Sequence, residues 1–280
     1  MPVYTTYAIK PEIYGFNFVL LCLSSIFIAA AGYIINDYFD LNIDMVNKPD
    51  KMVVDKIIHR RWTIAWHQIL SITGIAIGFY LDYHNNIFLL GLSNIVCVTL
   101  LFIYSISLKK KFLIGNVIIS LLTAWVILVV TWCENYNIIY SNNSLGINKI
   151  LRETFLFAGF AFIISLVREV VKDMEDIEGD RRYGCKTMPI VWGINATKVF
   201  VAVWLIVLIA VLVIAQVYAV HLRWWLSIAY CTLLIIIPLL VIFRRLFTAK
   251  SAADFHALSS LIKLVMFTGI LSMFFFRYYA

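Results

Sequence analysis

Eight stretches of roughly twenty mostly apolar residues, each closed by a polar segment, leave this 280-residue chain few folds to adopt. They fall at residues 14–38, 62–81, 87–107, 113–132, 155–171, 197–220, 224–243 and 258–276. Hydrocarbon offers a backbone no hydrogen bonds, so only helices and closed barrels span it, and unbroken apolar runs lack the alternation of barrel strands. The sequence therefore predicts an all-α fold, a polytopic transmembrane helical bundle of eight spans. Composition agrees: 14% of the residues are charged, against about a quarter in a soluble domain. Five scattered cysteines without a C-x-x-C pair argue against a disulfide framework and a zinc site. Residues 1–11 carry no cleavable signal, and the Asn-rich stretch 133–149 reads as an exposed loop.

One pattern of acids occurs twice. Asp37, Asp40 and Asp44 close the first run and Asp173, Asp176 and Asp180 close the fifth, both as D-x-x-D-x-x-x-D. Four crossings lie between them, so both belong on one side of the membrane. Sixteen basic residues flank the runs on that side, among them Lys48, Lys51, Lys56, Arg60, Arg61, the Lys109–Lys111 triplet, Lys186, Arg244 and Arg245. Five stand opposite: Lys10, Lys149, Arg152, Arg223 and Arg277. Positive charge marks the cytoplasmic face, which places both motifs there, in a bacterial inner membrane. The net charge of +7 then belongs to loops on anionic lipid, with no nucleic-acid motif to claim it. Asp37 and Asp173 stand 136 positions apart, four spans per unit, so the chain reads as one domain over 1–280. Its two parallel pseudo-repeats, about 14–132 and 155–276, would surround a central cavity.

Offsets of three and seven stack side chains along one helical face. Three carboxylates there repel one another at a helix end that is already negative, so each ladder needs cations. Oxygen ligands on a rigid face suit Mg²⁺, which takes one or two carboxylates and completes its shell with water and phosphate. The competing reading of one ladder, an interfacial cap of solvated acids, loses ground when two stand at the same depth. Lys48, Lys51, Arg60, Arg61, Tyr104, Lys109, Arg168 and Lys172 gather on the same side and suit a diphosphate. Arg168, within an apolar run, is expected either at a phosphate or in a salt bridge with Asp40 or Asp44. A diphosphate handled at a membrane surface suits a greasy isoprenyl substrate, its tail among the helices. Tyr33, Phe39, Trp62, Trp66 and Trp125 are candidate aromatic surfaces for an allylic cation.

These residues resemble the UbiA superfamily of intramembrane prenyltransferases. Asn36, Asp37, Asp40 and Asp44 match its first motif, followed by Asn47-Lys48-Pro49-Asp50-Lys51; Asp173, Asp176 and Asp180 match its second, within the string from Arg168 to Asp180. Lys186-Thr187-Met188-Pro189, the Tyr104-to-Lys109 segment and Gly115-Asn116 match as well. The second-motif string is most similar to the geranylgeranylglycerol-phosphate geranylgeranyltransferase-like branch.

The resemblance implies a Mg²⁺-assisted prenyltransferase acting on a prenyl diphosphate and a lipophilic acceptor, either a glycerol-phosphate ether lipid or a quinone precursor, with no obligate protein partner. It implies metal binding by Asn36, Asp37, Asp40, Asp44, Asp173, Asp176 and Asp180. Diphosphate binding falls to Lys51, Arg61, Lys109, Arg168, Lys172 and Asn116, and catalysis to Asp40, Asp44, Asp176, Asp180, Lys109 and Tyr104. The family pattern has nine spans with the first motif after the second span; here it follows the first, so one span fewer is expected. Two alternatives fit less well. A secondary transporter predicts acids near the midplane and helices interrupted by Gly or Pro, whereas these acids sit at span ends. A CDP-alcohol phosphotransferase needs a D-G-x-x-A-R signature that the sequence lacks.

Overall fold

A computed structural model describes residues 13–134 and 144–279. All eight apolar runs form helices, joined by short connections. The long ones are α1 (Phe16–Asn47), α2 (Arg60–Asn85), α3 (Leu90–Ile106), α4 (Ile114–Cys133) and α5 (Ser144–Glu175). After two short helices, α6 (Ile177–Arg182) and α7 (Met188–Val191), come α8 (Ile194–His221), α9 (Trp225–Thr248) and α10 (Ala252–Leu271), then the short α11 (Met273–Tyr279). Apart from a single bridge between Val54 and Ile58, no strand pairing occurs among the described residues.

Seven helices, not eight, are long and apolar enough to cross a bilayer among the described residues. The third run makes the exception: α3 has 17 residues, about 25 Å, short of a hydrocarbon core of about 30 Å. It starts late because Asp82 of α2 accepts hydrogen bonds from the backbone N–H groups of Leu90 and Gly91 at 2.9 and 2.8 Å, capping the helix from a neighbour. It ends early in a 3₁₀ turn, Leu108–Lys110. The loop expected at 133–149 is also shorter, because α5 begins at Ser144; residues 135–143 lie outside the described residues.

Two apolar cores organise the bundle. The larger gathers Val170 and Val171 of α5, Leu205 of α8, Leu239 of α9 and Ile262 of α10, each fully buried. The smaller joins Leu21, Leu81, Leu90 and Val129 from α1 to α4. Outward-facing helical side chains are largely apolar, Ile72 being 66% and Ile214 70% exposed, as helices bathed in lipid require. Packing between helices in lipid gains little from hydrophobicity, and a buried polar knot does part of that task. Asn94 Nδ2 of α3 donates to Ser24 Oγ of α1 at 3.0 Å and to the Gly74 carbonyl of α2 at 3.1 Å, and Ser24 Oγ donates to the same carbonyl at 2.8 Å. Asn94→Ala should therefore cost about 1 kcal/mol of stability, read as a lower thermal midpoint in detergent.

Candidate active site

Both ladders line one cavity of about 260 Å³ at one end of the bundle. Its wall includes Asn36, Asp37, Asp40 and Asp44 from α1 and Asp173, Asp176 and Asp180 from the second motif, with Tyr104, Lys109, Asn116, Lys48 and Lys172. The two halves of the chain thus converge on the same space.

Local geometry differs between the ladders. The first lies wholly on α1, which runs on to Asn47. The second is bent, since α5 ends at Glu175, Asp176 sits at the junction, and only then does α6 begin. Asn47 stabilises that junction. Its Nδ2 donates to the Asp176 carbonyl at 3.1 Å, and its Oδ1 accepts from the Gly179 N–H at 2.9 Å. Asn47 was legible in the sequence only as part of a motif; its role depends on a contact 129 positions away.

Cations from other elements cross-brace the acids. Lys109 Nζ lies 2.5 Å from Asp40 Oδ1 and donates to Asn36 Oδ1 at 3.1 Å, while Asn36 Nδ2 donates to Asp40 Oδ2 at 2.7 Å. Gly115 permits this: a Cβ there would stand 2.8 Å from the Lys109 Cα, so only glycine lets the 3₁₀ turn close against α4. Lys48 Nζ lies 2.8 Å from Asp176 Oδ1 and 2.9 Å from Oδ2. Asn116 Nδ2 donates to Asp173 Oδ2 at 2.8 Å.

Electrostatics follow from burial and crowding. Asp180 is pushed up to about 7, first by burial and then by the neighbouring Asp176 and Asp40 carboxylates, against the pull of Lys172 and Lys109. Burial holds the Lys109 ammonium below the usual lysine range although Asp40 favours its charge. Both shifts mark groups kept away from water beside like or opposite charge, a pattern common at functional sites.

Several expected residues stand elsewhere. Arg61 is exposed in the first turn of α2 and does not line the cavity. The side chain of Lys51 lies outside the described residues. Arg168 also misses the cavity wall, and it pairs with neither Asp40 nor Asp44 but with Glu169, at 2.5 Å. Helical pitch explains the difference. Arg168 precedes Asp176 by eight positions, about 80° round the helix, while Glu169 precedes it by seven, only about 20° off. Glu169 accordingly lines the cavity, and that angle was the signal that would have found it. None of the aromatic candidates lines the cavity either; Tyr33 is 73% and Trp62 64% exposed, facing outward. Tyr104 is the aromatic residue on its wall.

The ladder residues offer hard oxygen donors, and their arrangement suits Mg²⁺ bound with a phosphate. Among the described residues no group of three or more His, Cys, Asp or Glu side chains stands close enough to hold a metal by itself. One- and two-carboxylate corners facing a shared cavity are what an ion needs when phosphate completes its shell.

The profile of the UbiA prenyltransferase family matches residues 1–271. A digeranylgeranylglyceryl phosphate synthase of Methanosphaera stadtmanae is 27% identical to this chain over 267 residues, covering 95% of this chain and 89% of that protein. Two solved structures share the fold. The UbiA homolog of Aeropyrum pernix K1 superposes with a TM-score of 0.67 at 16% identity, over 97% of this chain and 95% of that one. The UbiA homolog of Archaeoglobus fulgidus bound to DMAPP and Mg²⁺ gives 0.62 at 14% identity, over 97% and 93%.

Proposed function

This chain belongs to the UbiA prenyltransferase family, and on that footing we propose that it moves a geranylgeranyl-type group from its diphosphate to the hydroxyl of a glycerol-phosphate ether lipid. It is an integral, multi-pass membrane prenyltransferase. The observation that carries the reading is the convergence of two aspartate ladders and three lysines, Lys48, Lys109 and Lys172, on one cavity at the end of an apolar bundle. The acceptor class is suggested by the relative named as a digeranylgeranylglyceryl phosphate synthase, and the metal by the homolog bound to DMAPP and Mg²⁺.

Asp40, Asp44, Asp176 and Asp180, with Asn36, Asp37 and Asp173 beside them, would hold the metal. When bound, Mg²⁺ would neutralise the diphosphate and make it a better leaving group. Lys109, Lys172 and Lys48 bind the diphosphate oxygens and stabilise the negative charge that grows as the allylic C–O bond breaks. Asn116 fixes Asp173, and Asn36 fixes Asp40, so neither carboxylate has to reorient during the reaction. Tyr104, Leu41, Ile43 and Val53 give the cavity an apolar side that limits the water able to capture the prenyl cation. The basic loops beside the cavity support a cytoplasmic site, and the spacing of the ladders supports one domain of two parallel half-bundles, about 14–132 and 155–276.

The deciding experiment gives purified protein Mg²⁺ and labelled geranylgeranyl diphosphate with geranylgeranylglyceryl phosphate, dihydroxynaphthoate, 4-hydroxybenzoate or haem. Label should move to the first. Transfer to an aromatic acceptor instead would overturn the acceptor class, and no diphosphate release with any would overturn the activity.

The Asp180 carboxyl adds a pH dependence. Near pH 6 the folded protein keeps a proton there that a cation must displace, and near pH 8 it does not. Apparent metal affinity should thus strengthen as pH rises towards about 7, by up to about tenfold per unit, and level off above it. Titrating the Mg²⁺ requirement at pH 6, 7 and 8 checks this, and an unchanged requirement would remove Asp180 from the metal's surroundings. The linked effect on folding has the opposite sign. A carboxyl raised from its ordinary 3.8 to about 7 stabilises the fold below that interval and loses its contribution as pH rises through it.

A further inference from the structure

We propose that Lys48 and Lys109 act as internal cations for the middle carboxylate of each ladder, so that divalent metal and diphosphate bind this cavity as a unit. The inference rests on the metal-diphosphate reading above and adds the order and coupling of binding.

The two lysines hold equivalent positions. Lys109, in the turn after α3, is 2.5 Å from Asp40, the middle acid of the first ladder. Lys48, just beyond α1, is 2.8 Å from Asp176, the middle acid of the second, and 3.9 Å from Glu175. Each lysine comes from a different segment from the acid it meets, so neither pair is a by-product of helical spacing. The side chains are largely out of water, at 10% and 16% exposure for Lys109 and Asp40 and 25% and 18% for Lys48 and Asp176. Attraction at that depth is poorly screened.

A metal ion arriving alone must take Asp40 or Asp176 from an ammonium a few ångströms away and leave that charge facing its own. A metal arriving with a diphosphate meets no such obstacle, because the displaced ammonium swings onto a phosphate oxygen. The carboxylate changes partner, the lysine changes partner, and no buried charge is left alone. Linkage then requires each ligand to raise the other's affinity by the same factor. A free divalent ion is held weakly, and the cavity does not fill with metal before substrate comes.

The test uses Mn²⁺ as a paramagnetic probe and a prenyl thiodiphosphate that resists ionisation, with the full chain in detergent. Lys48→Met and Lys109→Met keep the stem and remove the charge. Each variant should bind Mn²⁺ alone about fivefold more tightly than the unsubstituted protein, or better, while binding the thiodiphosphate at saturating Mn²⁺ about tenfold more weakly. Lys110→Met, on the same turn but outside the cavity wall, should change neither value. Folded variants that bind Mn²⁺ alone no better than the unsubstituted protein would overturn the proposal. Should the drier Lys109 site fail to fold without its charge, Lys48→Met carries the same comparison. If the unsubstituted protein bound neither Mn²⁺ nor thiodiphosphate even together, the metal-diphosphate reading itself would fall, and this inference with it.

Discussion

Asp40→Asn and Asp176→Asn should each lower Mg²⁺-dependent diphosphate release by about 10²–10³-fold, the cost of removing one preorganised charge from a water-poor site. Asparagine is the informative substitution because each acid also holds a lysine. Alanine at Asp40 would strand the Lys109 ammonium at 10% exposure, and breaking a buried pair from one side costs about 3–5 kcal/mol. Lys48, at 25% exposure, can turn to solvent, so Asp176→Ala should be the milder of the two for stability. Thermal midpoints therefore separate the roles. Each asparagine variant keeps an acceptor for the ammonium and should melt above its alanine counterpart with equally little turnover, and Asp40→Ala should melt lower than Asp176→Ala. Retained turnover in either asparagine variant would sink the two-ladder site.

How far the sequence discloses this site depends on the distance over which its parts act. All eight runs became helices because apolar length in lipid is decided locally, residue by residue. The ladders meet in one cavity with four long helices between them, a relation that depends only on the order of the runs. Asn116 and Lys109 were reachable through motifs, and both touch ladder acids. What stayed hidden was the pairing of particular side chains across 128 and 129 positions, Lys48 with Asp176 and Asn47 with the same residue's carbonyl. No local period encodes such a pairing. The short α3 was hidden for a related reason, since its start is set by Asp82, a residue of the preceding helix. Arg168 differs: charge inside an apolar run points to an anion, and the anion it meets here is the adjacent Glu169.

The bend at Asp176 yields the second large effect. Gly179→Ala should cut turnover by about 10²-fold, the loss expected from displacing a reacting group by about 1 Å. A Cβ at Gly179 would lie 2.5 Å from both Asn47 Nδ2 and Oδ1. Either the Asn47 amide swings away and loses its two bonds to the second motif, or α6 moves off α1. Both outcomes shift Asp176 and Asp180 relative to Asp40 and Asp44. Stability should hardly report the change, because alanine is favoured over glycine within a helix by about 1 kcal/mol, which offsets much of the lost bonding. A variant with a near-normal thermal midpoint and a raised diphosphate requirement is the expected signature. Asn47→Ala alone should do the same by deleting the bonds. In the double variant the added methyl occupies space the amide has left, so Asn47→Ala with Gly179→Ala should be no worse than the poorer single variant rather than the product of the two. Multiplicative losses would show that Gly179 and Asn47 act independently, and the seating of α6 against the end of α1 would then have to come from the Lys48–Asp176 pair alone.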